Sequence, residues 1–265
     1  MALLPEGFRF SQGSLATGEW CLRRFYLRYL RRLSWPAAAD DAGEAKERGA
    51  ARGRLFHHLV HQHALGLEVE ALVAASKDPE LAEWWSNFKH HPPVGLPEGE
   101  VFSELELWVP LGPGWLTARF DRVVVGQGGR LCIVDWKTGR GLPAEYLASW
   151  QTLVYCFVLS EGGSLLRGGV PVEPAQISLC YWPAAFPDQV QWHRYDRTQH
   201  DQARERLERS AGFLAGLQTR EEFCMTEDLK RCASCEFQSY CSRGAGVGAG
   251  WEFDEEEEED WGLEL

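Results

Sequence analysis

The segment Leu131-Cys132-Ile133-Val134-Asp135-Trp136-Lys137 constrains this chain more than any other. Its first four residues are apolar, the pattern of a strand buried on both faces. Side chains alternate along a strand, so Asp135 and Lys137 point to one face together and Trp136 points to the other. Charged groups at the end of a buried strand cost desolvation unless they are paired or have chemistry to do. Alone, an Asp-x-Lys pair reads as an ordinary surface ion pair. Here the apolar approach and the turn residues Thr138-Gly139 favour a working site at the mouth of a sheet.

Such a strand needs cover on both faces, and the flanking segments supply it. Apolar spacing predicts one helix over 11–33, capped by Ser11 or Ser14 and ended by Trp35-Pro36. Further helices are predicted over 44–65, 68–76 and 79–90. Alternation then takes over. Val101, Ser103, Leu105, Leu107 and Val109 are predicted to share one face, with Glu104, Glu106 and Trp108 on the other. Strands over 115–125 and 130–136 are joined at Gly126-Gln127-Gly128-Gly129, a hairpin signal. A helix over 143–159, strands over 176–182 and 190–195, and a helix over 198–217 capped by Thr198 or Asp201 complete the pattern. The class is α/β, a mixed central sheet flanked by helices. The expected organisation is a helical segment 1–66, a core 67–200, a C-terminal helix with a cysteine-rich segment 201–243, and a Gly/Ala linker with a disordered acidic tail 244–265.

The formal net charge of −12 is unevenly spread. Nine of the 39 acidic residues follow Trp251, so the body carries 27 basic against 30 acidic side chains. The stretch from Cys21 to Arg54 is basic, with nine Lys or Arg against four Asp or Glu. An acidic chain with a local basic surface can still bind a polyanion. No apolar run approaches the ~20 residues of a membrane helix, and the first residues do not read as a secretory signal. A cytoplasmic protein is expected. Its eight cysteines are then read as metal ligands or buried residues rather than disulfides. There is no GxxxxGK[ST] loop, so ATP-driven helicase activity is not expected of this chain.

Asp121 lies on the strand before Asp135 and can reach the same face. Two carboxylates around a point suit a hard divalent cation such as Mg²⁺ or Mn²⁺, and the backbone carbonyl of Trp136 can add a third oxygen. Lys137 can orient or help deprotonate a water. Together these are equipment for hydrolysing a phosphodiester. Replacing Asp135 or Lys137 is expected to spare the fold, since they would act on metal and water rather than in packing. His57 and His61, four apart on one helix face, could alternatively hold zinc, or be plain polar helix residues.

Taken together, Ala118-Arg119-Phe120-Asp121-Arg122-Val123 and Cys132-Ile133-Val134-Asp135-Trp136-Lys137-Thr138-Gly139 resemble the PD-(D/E)xK nuclease superfamily, in particular its RecB-like exonuclease branch. Gly53 followed by His57 resembles the branch's G-x-x-x-H motif, which makes His57 a metal ligand, with His58 as the fallback. Gln151 and Tyr155 resemble its Q-x-x-x-Y motif, which implies contact with the substrate strand or the active-site lysine. Glu104 stands where the family often has an acid. The resemblance implies a restriction-endonuclease-like core and a metal-dependent DNA exonuclease acting on ends or single strands. Asp121, Asp135, Lys137 and Glu104 would be catalytic. It also implies roles in DNA repair or CRISPR adaptation, with a helicase or CRISPR integration proteins as partners. A catalytically silent DNA-end-binding module is the alternative; the intact Asp121, Asp135 and Lys137 argue against it.

Cys232, Cys235 and Cys241 form C-x2-C-x5-C, a spacing that converges on one metal centre. Cys21 resembles the lone early cysteine of iron–sulfur members of the same branch, though Leu22 follows where those carry Pro. The resemblance implies a [4Fe-4S] cluster on Cys21, Cys232, Cys235 and Cys241, in a helical lobe. It would close a loop of about 210 residues. Zinc in the same ligands, or Cys224 as an alternative ligand, stays open. Arg24 and Arg28, interleaved with aromatics, are expected partly on DNA, while the aromatics mostly pack.

Overall fold

The computed structural model describes residues 3–34, 41–139 and 141–243. The stop at Trp35-Pro36 and the linker and tail over 244–265 lie outside the described residues.

The long strand Gly114–Gly126 (β3) organises the sheet. Gly99–Leu111 (β2) pairs antiparallel along its whole length. Leu131–Lys137 (β4) pairs antiparallel with its C-terminal half, and the two-residue Arg9–Phe10 (β1) runs parallel to its start. Ile177–Pro183 (β5) lies parallel to β4, and Gln191–Arg194 (β6) closes the edge antiparallel to β5. The sheet is therefore mixed, six-stranded and covered by helices, as expected. Strand β4 is buried at every position.

The helices are Gln12–Trp20 (α1), Leu22–Phe25 (α2), Asp41–Ala64 (α3), Glu70–Ser76 (α4), Pro79–His90 (α5), Trp150–Gly162 (α6) and Arg197–Gly216 (α7). One apolar cluster joins α1, α6 and α7 to one sheet face and runs from Leu4 to Phe237. A second packs Phe56, Leu59 and Val60 of α3, with α4 and α5, against Val134, Trp136 and Trp182. The first cluster crosses the expected boundaries at 66 and 200, so the packing does not follow those divisions. No helix among the described residues is long and apolar enough to cross a membrane.

Four local expectations need correction. The helix over 11–33 breaks at Cys21, which is extended (φ −163°, ψ 117°). Arg23 N–H, just past the break, donates to the Cys224 carbonyl (3.0 Å). Beyond it Tyr26–Leu30 winds as a wider π-type turn, which apolar spacing cannot distinguish. Ser11 is the cap, in a reciprocal pair with Ser14. The helix over 143–159 is a 3₁₀ turn, Ala144–Ala148, then an extended Ser149 that caps α6 through Thr152 N–H. Asp196, not Thr198 or Asp201, caps α7, accepting from Gln199 N–H at 2.8 Å. The shared face of β2 slips midway, for a reason that builds the site.

Candidate active site

Strands β2 and β3 pair at Ser103–Arg122 and again at Leu105–Phe120, leaving Glu104 and Asp121 facing each other outside the ladder. Glu104 takes a left-handed backbone (φ 52°), costly for a residue with a side chain. Both strands shift face here. Leu105, Leu107 and Val109 join the α6-side core, but Phe102 continues it, and Val101 is 51% exposed. On β3, Ala118 and Phe120 are followed by Val123. Regular alternation, which put Val101 and Ser103 with Leu105, would have sent these two acids elsewhere; the paired interruption re-aims them to one point.

His57 on α3 completes the group. Its Nδ1 stands 3.1 Å from Asp121 Oδ1, and one ligand atom from each of His57, Glu104 and Asp121 lies within 4.8 Å of the others. Gly53, one turn earlier, lets α3 approach β4, since a Cβ there would come 2.7 Å from Thr138 Oγ1. His58 is exposed. Asp121 Oδ2 accepts the Trp136 backbone N–H at 2.8 Å. Arg119 Nε donates to Glu104 Oε2 at 2.8 Å. Burial and the Asp121 charge hold the Glu104 carboxyl above its ordinary range, against the pull of Arg119. Burial pushes Asp121 upward too, but the His57 ring and the Trp136 amide outweigh it and leave that carboxyl lowered.

Asp135 and Lys137 share the opposite face of β4 from the Trp136 indole, 2% and 3% exposed, with Nζ 2.8 Å from Asp135 Oδ2. Gln151 of α6 bridges them: its Oε1 accepts from Lys137 Nζ (2.8 Å) and its Nε2 donates to Asp135 Oδ1 (3.1 Å). Gln151 Nε2 also donates to the Tyr155 hydroxyl at 3.1 Å. Two residues missing from the sequence reading belong here. Tyr146 O–H donates to Gln151 Oε1 at 2.9 Å, and the rings of Tyr146 and Tyr181 stand 4.8 and 5.3 Å from Lys137 Nζ. No motif spacing marks Tyr146, because it lies in the 3₁₀ turn read as helix.

An imidazole nitrogen and two carboxylates form a donor set for Mg²⁺ or, with its tolerance for nitrogen, Mn²⁺. The residues fit such an ion. Glu104, expected to be catalytic but not to hold the metal, stands in the triad with His57 and Asp121. Asp135 is turned to Lys137 and Gln151, and Trp136 offers its N–H to Asp121.

Across the molecule, Cys21, Cys232, Cys235 and Cys241 line one cavity with Arg24, Met225, Phe237 and Gln238. Burial pushes the Cys235 thiol up to about 12 and raises Cys241, with Cys21 adding to both. Cys224 is exposed and outside the cavity; Cys132, Cys156 and Cys180 are wholly buried. Arg24, expected on DNA, is instead 6% exposed and paired with Glu236 at 2.9 Å, which spares the buried cation its desolvation cost. Arg28 is more open and lies 3.7 Å from the same carboxylate.

The family model of the PD-(D/E)XK nuclease superfamily matches residues 9–242. No curated protein matches the sequence. Among solved structures, the crystal structure of SSO0001 is 14% identical, covering 89% of this chain and 86% of that one, with a TM-score of 0.40. A "Putative exonuclease" from Eubacterium rectale is 8% identical, covering 77% of this chain and 79% of that one, with a TM-score of 0.44.

Proposed function

This chain belongs to the PD-(D/E)XK nuclease superfamily, and from that premise we propose that it is a metal-dependent DNA exonuclease acting on ends or single strands. The observation that carries the reading is the meeting of His57, Glu104 and Asp121 beside the buried Asp135–Lys137–Gln151 network. His57, Glu104 and Asp121 would hold Mg²⁺ or Mn²⁺, with Asp135 next to them. The ion supplies charge neutralisation at the phosphate and a lowered pKa for water. Lys137, fixed by Asp135 and Gln151, donates toward the attacking water or the phosphate oxygen. Tyr146 and Tyr155 keep Gln151 in place, and burial holds the Tyr155 hydroxyl protonated by pushing its pKa well up.

We propose a [4Fe-4S] cluster on Cys21, Cys232, Cys235 and Cys241, the set the resemblance names; that one cavity gathers all four is what supports this reading. A repair or CRISPR-adaptation role, with a helicase or integration complex as partner, is the context the family resemblance implies.

The test is an assay on end-labelled single- and double-stranded DNA with Mg²⁺, Mn²⁺ or EDTA, with circular single-stranded DNA beside it. Metal-dependent loss of linear DNA with circles intact is expected. Cut circles would make the enzyme an endonuclease, and no cleavage under any condition would end the nuclease reading.

A further inference from the structure

A recess of about 320 Å³ opens on the other side of β4 from Lys137, against the C-terminal parts of α3 and α5 and the loop that follows α5. Its wall includes the Trp136 indole, 2% exposed, whose Nε1–H has no hydrogen-bond partner among the described residues. The Arg122 guanidinium lies over that indole, Cζ 5.2 Å from the ring, and its buried Nε–H also lacks a partner. Lys89 and His63 share the recess, with Lys89 Nζ 3.4 Å from His63 Nε2. Lys89 reaches Glu70 at 3.5 Å, but among the described residues no acidic side chain lines the recess itself.

These groups are chiefly hydrogen-bond donors, two of them cationic, and two buried N–H groups go unanswered. Arg122 and Lys89 give the recess its positive charge, and a ligand that answers two cations there is an anion. Arg122 and an ammonium around one point suit phosphate oxygens. Phe88 and Leu96 give the same recess apolar wall for a sugar or base. The volume is at the small end for a ligand site, about that of one nucleotide. The position is the strongest clue. Arg122 directly follows Asp121, and the Trp136 amide, behind the indole that walls the recess, holds the Asp121 carboxylate.

We infer that this recess is a phosphate subsite for the DNA strand, holding a phosphate adjacent to the bond cleaved at the carboxylate centre. The inference rests on the nuclease reading. It gives that reading a strand path: an ion held by His57, Glu104 and Asp121 would neutralise one phosphate, and Arg122, with Lys89 at the mouth, grips its neighbour.

The test is read without turnover. Binding of a short fluorescein-labelled oligothymidylate to the full chain is followed by anisotropy in EDTA over a range of salt. Arg122→Gln should weaken binding roughly tenfold, the loss of a charged hydrogen bond. Lys89→Gln should weaken it severalfold. Each should flatten the salt dependence, by about 0.7 in log–log slope per lost single-strand phosphate contact. Arg122→Gln also unstacks Trp136, so exposed Lys89→Gln guards against a folding artefact. Thymidine monophosphate is the competitor that sorts the source. Displacement by it assigns a terminal nucleotide; displacement only by unlabelled oligomer assigns an internal phosphate. Unchanged affinity and slope in both variants would overturn the subsite. Failure of wild-type protein to cleave DNA with metal would instead remove the nuclease reading, while the metal-free binding result stands separately.

Discussion

At the carboxylate centre the charged side chains are held by protein partners on buried elements. His57 meets Asp121, Arg119 meets Glu104, and Lys137 meets Asp135 and Gln151. The cysteine segment is built differently. Over residues 218–243 only Phe223 and Phe237 are buried, and regular structure is limited to the 3₁₀ turn Leu229–Cys232. What holds it is a seam with the N-terminal helices. Arg231 donates to the Glu19 and Trp20 carbonyls, Arg23 N–H to the Cys224 carbonyl, and Phe223 stacks on Phe25. One centre is preorganised by a hydrophobic core. The other has little core of its own, and the proposed cluster would add a cross-link between distant parts of the chain.

The largest effect is expected at the buried ion pair. Lys137→Ala or Asp135→Ala should lower cleavage by on the order of a thousandfold or more, since several kcal/mol of transition-state stabilisation is lost. Contrary to the sequence-based expectation, each should also cost roughly 3–5 kcal/mol of stability, because the surviving charge is left buried without its counter-ion. Asp135→Leu combined with Lys137→Met should recover much of that stability and none of the activity. Unfolding curves and rates measured together separate the two effects. Single variants as stable as the wild type would mean that burial does not organise this centre.

The cysteine side is tested by Cys21→Ser. On the proposed cluster, a cross-link closing so long a loop is worth up to about 5 kcal/mol, so this variant should bleach anaerobically purified protein and lose stability of that order. Cys224→Ser should keep colour and iron. Hydrogen exchange should rise over the cysteine segment and the first helices while β4 stays protected. Iron retained in Cys21→Ser and lost in Cys224→Ser would make the centre local to the C-terminal segment.

Arg231→Ala sharpens the same contrast with a smaller perturbation. It removes two hydrogen bonds to backbone carbonyls, at 2.9 and 3.2 Å, and the cation over Trp20. A loss of about 1–3 kcal/mol is expected, confined to exchange at the seam, with cleavage unchanged. Faster exchange in β4 would show that the seam and the core open as one unit.

Much of this was legible in residue order, and the misses have a common cause. A uniform apolar strand ending in Asp135 and Lys137 announces a buried strand with a site at its end, and Gly53 with His57 announces a helix that must come close. The sheet's order around β3 follows from the hairpin signals and the parallel step through α6. Local interruptions were not legible. Extended Cys21, extended Ser149 and the left-handed Glu104 each break a period that their neighbours keep. The partners are distant in sequence, as Cys224 is for Arg23 just past the break and Arg119 is for Glu104, or lie in turn chemistry that hydrophobic spacing does not encode. Burial of Arg24 was hidden likewise, since Glu236 is remote in the chain.

The smallest effect belongs to the core alone and concerns acid. His200 on α7 is 1% exposed, stacked on Phe157, with Nε2 3.1 Å from Glu161 and Nδ1 3.3 Å from the Tyr195 hydroxyl. Burial lowers its pKa; Glu161 pulls the other way, and Arg204 reinforces the lowering. With its proton on Nε2 the neutral ring donates to Glu161 and accepts the Tyr195 O–H at Nδ1, while Arg204 Nη2 beside it is held by Glu161 at 3.0 Å. Above the ordinary histidine value of about 6.5, both folded and unfolded chains carry a neutral ring, and pH has no purchase through it. Below that value the unfolded chain takes up a proton that the folded chain refuses. Stability through this group therefore falls as pH drops from about 6.5 toward the lowered folded value, with a slope of at most about 1.4 kcal/mol per pH unit. His200→Gln keeps a donor and an acceptor but cannot titrate, so denaturant unfolding between pH 7 and pH 5, on the order of the range where histidine charges, should show a shallower decline than wild type. Exchange in the cysteine segment should not follow this change, because His200 packs between α6 and α7. An identical pH slope in the variant would assign the acid sensitivity to another group, and matching changes in the cysteine segment would erase the division between the two regions.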